Sequence, residues 1–458
     1  MEDSLGIRKK SDPCDAMGFR WMETTCLLFG EVTPYGSIWR QCQVTNRRQS
    51  IAVLLAWPPT RDNIAWPTAP PWYLLANAPA NVDVHLFYFR HEEKHRERWI
   101  DDLKHLRLAS VTELEPFWTR WEHWLRISNK ASRQGFPVQV DWFPVRRKTV
   151  KLIQACRPDL IWIYPHWLSR WATALDAERI VVTGPDCAVL YCERVIKECV
   201  GCTPEESEKY QADLATYTVL EQFLAKTGSA VNVVGKADAD RFNELAGRPL
   251  ATFTVLPHFA FVARPDISRE GEPLRVIMSG DPSASYIGAH GPRLVASLVN
   301  EAPKLREHLS ITLTGRNWDS LATKLLGAGY SVRYETWVDD YSTTLAAHDV
   351  ALCPYVVGAG TKCKVLQAMA TGLLTIGSRF SFENVKATAG RDYMEYREPE
   401  EVARLLSEIL VERSRSECIA KSGANAVREF HSPRRTGEAF WIYALSNSVN
   451  TDRFGGQE

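Results

Sequence analysis

The run Gly358-Ala359-Gly360-Thr361-Lys362-Cys363-Lys364, continued by Val365-Leu366-Gln367-Ala368-Met369-Ala370-Thr371-Gly372, holds the densest chemistry in this chain. Two glycines allow a turn whose backbone can approach a ligand, and two lysines supply charge beside it. Val365, Ala368 and Met369 then share one face of a short helix that Gly372 ends. The unpaired N–H groups of a helix start, with the dipole behind them, suit an anion such as a diphosphate. Gln367 follows Thr361 by six residues, about 9 Å along a helix, which is the reach from a diphosphate to the ribose of the same nucleotide. Its amide can donate to one hydroxyl and accept from another. Two further groups end apolar runs: His166 closes 158–166, and Asp186 follows 180–184. Both lie at the strand edge where ligands bind in open α/β sheets; either residue can equally cap a helix or bond backbone.

Such groups need a frame, and the hydrophobic pattern supplies two in succession. Apolar runs at 51–56, 82–89, 158–164, 180–184 and 230–234 predict buried parallel strands, with helical stretches at 90–107, 113–133, 189–197 and 204–227. A loop rich in proline and tryptophan, from Trp57 to Tyr73, follows the first strand at the edge where open α/β sheets bind ligands. The pattern restarts with strands at 274–279, 311–314, 331–336, 350–354 and 373–376. This gives two doubly wound domains facing a cleft. The boundaries fall at 1–47 for an extension with one short strand at 25–29, 48–257 and 258–432 for the domains, and 433–458 for a terminal helix and tail.

Composition narrows the function classes. Across 458 residues, 55 basic and 55 acidic side chains leave no net field to attract nucleic acid. The first ten residues lack an apolar signal core and no run approaches a membrane span, which predicts a cytoplasmic chain. Eleven cysteines without a secretory signal read as reduced thiols. Cys187, Cys192, Cys199 and Cys202 crowd together, but their uneven gaps and the lack of a neighbouring histidine argue against a tetrahedral metal site. Trp118, Trp121 and Trp124, interleaved with Arg120, Arg126, Lys130 and Arg133, fit a helix edge packed on the core or one lying on an anionic membrane.

Several of these segments resemble glycosyltransferase family 4, a group of retaining glycosyltransferases. The run 358–376 is similar to that family's glycine-rich turn and "K-V-L-E-A-M-A-x-G-x-P-V-V" helix and strand. Pro158-Asp159-Leu160-Ile161 resembles its "P-D-v-v" strand, Val255-Leu256-Pro257-His258 its "v-i-P-N-G" hinge, and His348 to Pro354 its "A-D-v-x-v-x-P" strand. Phe430 to Tyr443 resembles the final turn and crossing helix. The resemblance implies an α/β GT-B fold: two facing Rossmann-like domains, with a C-terminal helix crossing back to the first. It implies a nucleoside-diphosphate sugar as co-substrate, no metal or other cofactor, and transfer with retention in glycan or glycoconjugate synthesis. The acceptor would be a saccharide, a lipid-linked molecule or a small molecule; peripheral contact at the inner face of the membrane follows only if the tryptophan helix lies on lipid and is not packed on the core. Donor binding would fall to Gly280, Arg316, Gly358, Ala359, Gly360, Thr361, Lys362, Lys364 and Gln367, and catalysis to His166 and Asp186.

Three departures bear on activity. Gln367 stands where the family has a ribose-binding glutamate, and Ala359 where it has the first glutamate of an E-x7-E motif, a position some branches replace with a "G-x-G-T-K" turn. The stretch 279–288, where the family places an arginine and a lysine for the diphosphate, carries only Asp281. Arg316, Lys362 and Lys364 are the cations left to compensate. The rival reading is a catalytically inactive GT-B-like binding or scaffolding protein.

Overall fold

The computed structural model describes residues 48–63, 67–90, 96–115, 134–198, 203–265 and 271–446. The extension, the tryptophan stretch Trp118 to Trp124, and Cys199 and Cys202 lie outside them. The first sheet contains β1 (Gln49–Leu55), β2 (Val82–Phe89), β3 (Ser110–Leu114), β4 (Leu160–Tyr164), β5 (Arg179–Thr183), β6 (Ala230–Val233) and β7 (Ala251–Phe253). All pair in parallel, in the order β3-β2-β1-β4-β5-β6-β7. The second contains β8 (Leu274–Ser279), β9 (Leu309–Thr314), β10 (Ser331–Glu335), β11 (Val350–Cys353), β12 (Leu374–Gly377) and β13 (Met394–Glu395), again parallel, in the order β10-β9-β8-β11-β12-β13. Both orders reverse beside their first strand, between β1 and β4 and between β8 and β11. Open sheets bind ligands outside the strand ends at that point. The two facing α/β domains expected from the resemblance are present.

The central strands form because they are apolar on both faces. Ile51 to Leu55 are fully buried, and so are Val276, Ile277 and Met278. Two sequence expectations are corrected at the edges. Glu113 and Leu114 belong to β3 and not to a helix from 113, because Ser110 to Leu114 pair with His85 to Phe89 and turn Leu114 into the core. Among the described residues between 90 and 107, the helix covers Arg96–Lys104. Strand β7 and the helix Lys236–Ala246 are not among the elements that the sequence pattern predicts.

Helices that matter below are α1 (Ala69–Ala76), α2 (Ala188–Glu198), α3 (Pro204–Lys226), α4 (Lys236–Ala246), α5 (Cys363–Thr371) and α6 (Pro433–Leu445). Helix α3 starts in a capping box: Thr203 Oγ accepts from Glu206 N at 3.2 Å, and Glu206 accepts from Thr203 N at 3.0 Å. Thr203→Ala removes one of these bonds and is expected to cost about 1 kcal/mol. The loss would be read as a lower urea midpoint at constant m-value, and an unchanged midpoint would contradict it.

Helix α6 returns to the first domain. Its Phe440 and Trp441 are fully buried against Trp162, and Trp441 Nε1 donates to Leu74 O at 2.7 Å. Two such aromatics bury enough surface to contribute on the order of 4 kcal/mol each. The chain therefore passes between the domains twice, and the passes touch. His258 N donates to His431 O at 2.8 Å, and His431 Nδ1 bonds Leu256 O at 2.9 Å. The buried His431 ring also accepts from Lys386 N, which fixes Nδ1 as the protonated nitrogen.

Candidate functional site

A cleft of about 980 Å³ opens where the two sheets' C-terminal edges meet. Its first-domain wall includes Arg61, Asp62, Arg98 and Asp186; its second-domain wall includes Tyr286, Gly315, Trp337, Tyr341 and the loop and helix residues Gly358, Ala359, Lys362, Lys364 and Gln367. The glycine loop leaves β11 and enters α5, a nine-residue helix that begins without a side-chain cap and stops at Gly372 in a left-handed conformation. It begins among the cleft-lining residues Lys362, Cys363 and Lys364.

The two lysines have different fates. Lys362 folds back, donating to Ala359 O at 3.1 Å and Gly360 O at 2.9 Å, with Glu383 at 3.8 Å. Gly358 leaves room for it, since a Cβ there would stand 2.8 Å from Lys362 Cε. Lys364 makes no hydrogen bond or ion pair with any described residue, although burial pushes its ammonium below the usual lysine range. A half-buried cation without a partner destabilises the empty protein and favours an anion opposite it. Gln367, one turn further, is buried and reaches the same wall.

Gly360 and Thr361 turn away from the cleft towards the first domain. Gly360 has φ +66°, and a Cβ on it would stand 2.8 Å from Val234 Cγ2 and 3.3 Å from Asp186 Cβ. Its N–H donates to Asp238 at 2.9 and 3.1 Å, and Thr361 Oγ donates to Val234 O at 2.6 Å. These two residues dock the loop and do not line the cavity. Gly280 lies behind the wall, where its carbonyl accepts from Trp318 Nε1 at 3.0 Å and its backbone packs directly beneath Gly315. Arg316 is exposed and off the wall, near Asp281. Asp281 is held by Ser283 N at 2.9 Å and by Asn317 Nδ2 at 3.0 Å.

On the first domain, His166 begins a short helical turn after β4 and is buried against Trp167 and Tyr217. Burial lowers its pKa to about 4, so the ring is neutral near pH 7, and it does not reach the cavity. Asp186 does. It is half-buried on the wall beside the glycine loop, with no hydrogen bond to a described residue, and its pKa is raised to about 7. Burial is the larger cause and the charge of Asp238 the second, while Lys362 pulls the other way.

That shift has a sign. The folded chain holds the Asp186 proton up to about pH 7, whereas the unfolded chain releases it near 3.8, so its contribution to stability is full below 3.8 and is lost as pH rises to 7. Glu221, raised to about 7 chiefly by burial, acts in the same direction. Asp186→Asn is expected to raise the melting temperature at pH 8 and to leave it unchanged near pH 4. Equal shifts at both pH values would remove Asp186 as the cause.

Sequence reasoning missed the groups that hold the loop. Asp238 is fully buried at the start of α4 and accepts from Cys187 N at 2.8 Å as well as from Gly360 N. Arg194 on α2 donates to Gly358 O at 2.6 Å and forks onto Glu383 at 2.7 and 2.8 Å. Asn384 takes Lys236 N at 3.1 Å and donates to Gly360 O at 3.1 Å. In sequence, an acid in a helix's first turn reads only as a complement to the dipole. Among the described residues no group of three or more histidine, cysteine or acidic side chains is arranged to hold a metal ion. Likewise no described helix is long and apolar enough to cross a membrane.

Residues 282–412 match the family of glycosyl transferases group 1. No curated protein matches the chain in sequence. Among solved structures it is similar to Anabaena HepE in complex with UDP-glucose, with a TM-score of 0.55 at 14% identity over 86% of this chain and 100% of that one. It is similar to sucrose-phosphate synthase from Thermosynechococcus elongatus, with 0.57 at 13% identity over 87% and 100%. A third likeness is to an alpha,alpha-trehalose-phosphate synthase (UDP-forming) from Burkholderia vietnamiensis, with 0.54 at 12% identity over 87% and 99%. Identities this low carry the fold alone. With two facing parallel α/β domains and a helix that crosses back to the first, this chain has the GT-B fold, and residues 282–412 of its second domain match the glycosyl transferases group 1 family.

Proposed function

We propose that the protein is a glycosyltransferase that moves a sugar from a nucleoside diphosphate to an acceptor hydroxyl with retention of configuration. The observation that supports this most is Lys364: an ammonium without a hydrogen-bond or ion-pair partner among the described residues, beside Gln367 and the uncapped start of α5, on the wall of an interdomain cleft. In this reading Lys364 and the helix amides take up the charge that develops on the departing diphosphate. Gln367 bonds the ribose, and the exposed indole of Trp337 offers a face to the base. The bond from the anomeric carbon to the diphosphate oxygen breaks as the bond to the acceptor oxygen forms on the same face, and the acceptor proton passes to the diphosphate. Asp186, next to the loop, orients that acceptor hydroxyl. No step requires a metal or a further cofactor.

UDP is the first nucleotide to test, because the structural neighbours include complexes with UDP and UDP-glucose. Melting curves with UDP, GDP, ADP and dTDP decide the ligand class, since a ligand at one hundred times its Kd adds about 2.7 kcal/mol. No shift with any of them ends the reading. Incubation of the matching sugar nucleotide with saccharide, lipid-linked and small-molecule acceptors, followed by NMR of the product's anomeric proton, tests transfer and retention; an inverted product overturns retention. Work in glycan synthesis at the inner face of the membrane belongs to the same proposal. Liposome flotation unchanged by Trp121→Ser and Arg126→Glu would remove the membrane contact.

The inactive binding reading has one observation in its favour: Lys362 and the Gly360 N–H, both expected on the phosphates, are engaged by protein groups. Nucleotide binding without transfer or sugar-nucleotide hydrolysis would support it.

A further inference from the structure

Resting on the donor reading of the cleft, we propose that Asp238 and Arg194, both of the first domain, are positioning residues for the donor. They set the backbone of the glycine turn at 358–361, so that the nucleotide site of the second domain is completed by the first.

Asp238 has no access to solvent, and a buried carboxylate is tolerated only where donors surround it. Its donors are Cys187 N on its own domain and Gly360 N on the other, the second shared between both carboxylate oxygens. The relation is reciprocal. Asn384 of the second domain accepts from Lys236 N at the start of α4, while Asp238, in the first turn of that helix, accepts from the loop that Asn384 also holds. Each domain therefore supplies a cap for the other's unpaired amide. Arg194 fixes the turn at a second point, two residues earlier, by donating to Gly358 O while its fork is locked on Glu383. A guanidinium paired in this way has little rotational freedom, so the carbonyl it binds is held in one direction.

With Gly358 O and Gly360 N pinned and Thr361 tied to Val234 O, the peptide planes of the turn have one arrangement. That arrangement folds Lys362 onto the carbonyls of Ala359 and Gly360 and leaves Lys364 and Gln367 on the cleft wall. Neither Asp238 nor Arg194 lines the cavity, so both act through the loop and not by touching the donor.

The test is calorimetric titration of the full chain with UDP, GDP, ADP and dTDP, alongside the melting temperature without nucleotide. Asp238→Ala and Arg194→Met are expected to weaken the nucleotide that wild type binds by about tenfold or more, the equivalent of one lost bond to a charged group. Asp238→Asn keeps an acceptor oxygen and is expected to stay within about threefold of wild type. In transfer assays the donor KM rises while the acceptor KM does not. Among the described residues Arg194 hydrogen-bonds only Gly358 and Glu383 of the second domain, so Arg194→Met decides the matter if Asp238→Ala fails to fold. A lower melting temperature with nucleotide affinity unchanged in both variants assigns these residues to the domain contact alone and overturns the proposal. No binding by wild type overturns the donor reading instead, and the proposal with it.

Discussion

Gly360→Val is expected to weaken nucleotide binding by about 100-fold, close to 3 kcal/mol, and to abolish transfer. Two costs combine. Gly360 sits at φ +66°, where a β-branched residue is strained by about 1–2 kcal/mol. Its side chain would also meet Val234 at 2.8 Å, Pro185 O at 3.2 Å and Asp186 Cβ at 3.3 Å, two of them on parts of the first domain that cannot swing aside. The loop can then no longer dock, Asp238 loses its donor, and a buried carboxylate is left short of a bond. Gly228 and Gly247 provide the control: both have positive φ, at 76° and 65°, and nothing within 4 Å of a Cβ. Alanine at either is expected to lower stability by about 1 kcal/mol and to leave nucleotide affinity alone. Titration calorimetry on the three variants separates strain from collision. Affinity retained in Gly360→Val would show that the loop's docking has no bearing on the cleft.

Lys364→Met is expected to act in opposite directions on stability and binding. The ammonium is half-buried without a partner among the described residues, and burial holds its pKa below the usual value, so the charged form is less favourable folded than unfolded. A lysine with a lowered pKa destabilises the fold at neutral pH, and that penalty fades as pH rises through the lowered value. Methionine has similar length and no charge, and the nucleotide-free melting temperature is expected to rise or hold. Binding moves the other way. A charge-assisted bond to a diphosphate contributes about 1.5–3 kcal/mol, so affinity falls by roughly 10- to 150-fold. Lys362→Met, whose ammonium is bonded to its own loop, is expected to lower stability first. If Lys364→Met bound nucleotide as tightly as wild type, the cleft's free cation would have no part in holding the donor.

These contrasts show where the sequence was informative. The order of strands, the glycine turn and the helix stop at Gly372 follow from local patterns: apolar runs, a turn residue, a three-to-four spacing. Contacts that give the turn its shape join residues 122 positions apart for Gly360 and Asp238, and 164 apart for Arg194 and Gly358. No local pattern carries a pairing of that range. Lys362 and Lys364 are equivalent in sequence, and only the direction in which the loop closes sends one to its own carbonyls and the other to the cleft. His166 illustrates the same point from the first domain. An apolar strand ending in histidine reads as a cleft residue, but Trp167 in the same turn and Tyr217 on a distant helix pack against it. Strand β3 carries little signal of its own, because Ser110 to Leu114 hold only two aliphatic side chains and one of them, Val111, is exposed.

The contact between His258 and His431 has a mechanical consequence. Two chain segments that cross side by side, bonded to one another at the crossing, behave as a spine joining two boards. Sliding and twisting would shear those bonds, whereas rotation about the line of the spine leaves them intact. The movement of least resistance between the halves is therefore a single swing. The bonds of Arg194 and Asp238 join the same two halves, so a swing that parts the glycine loop from the first domain has to break them together.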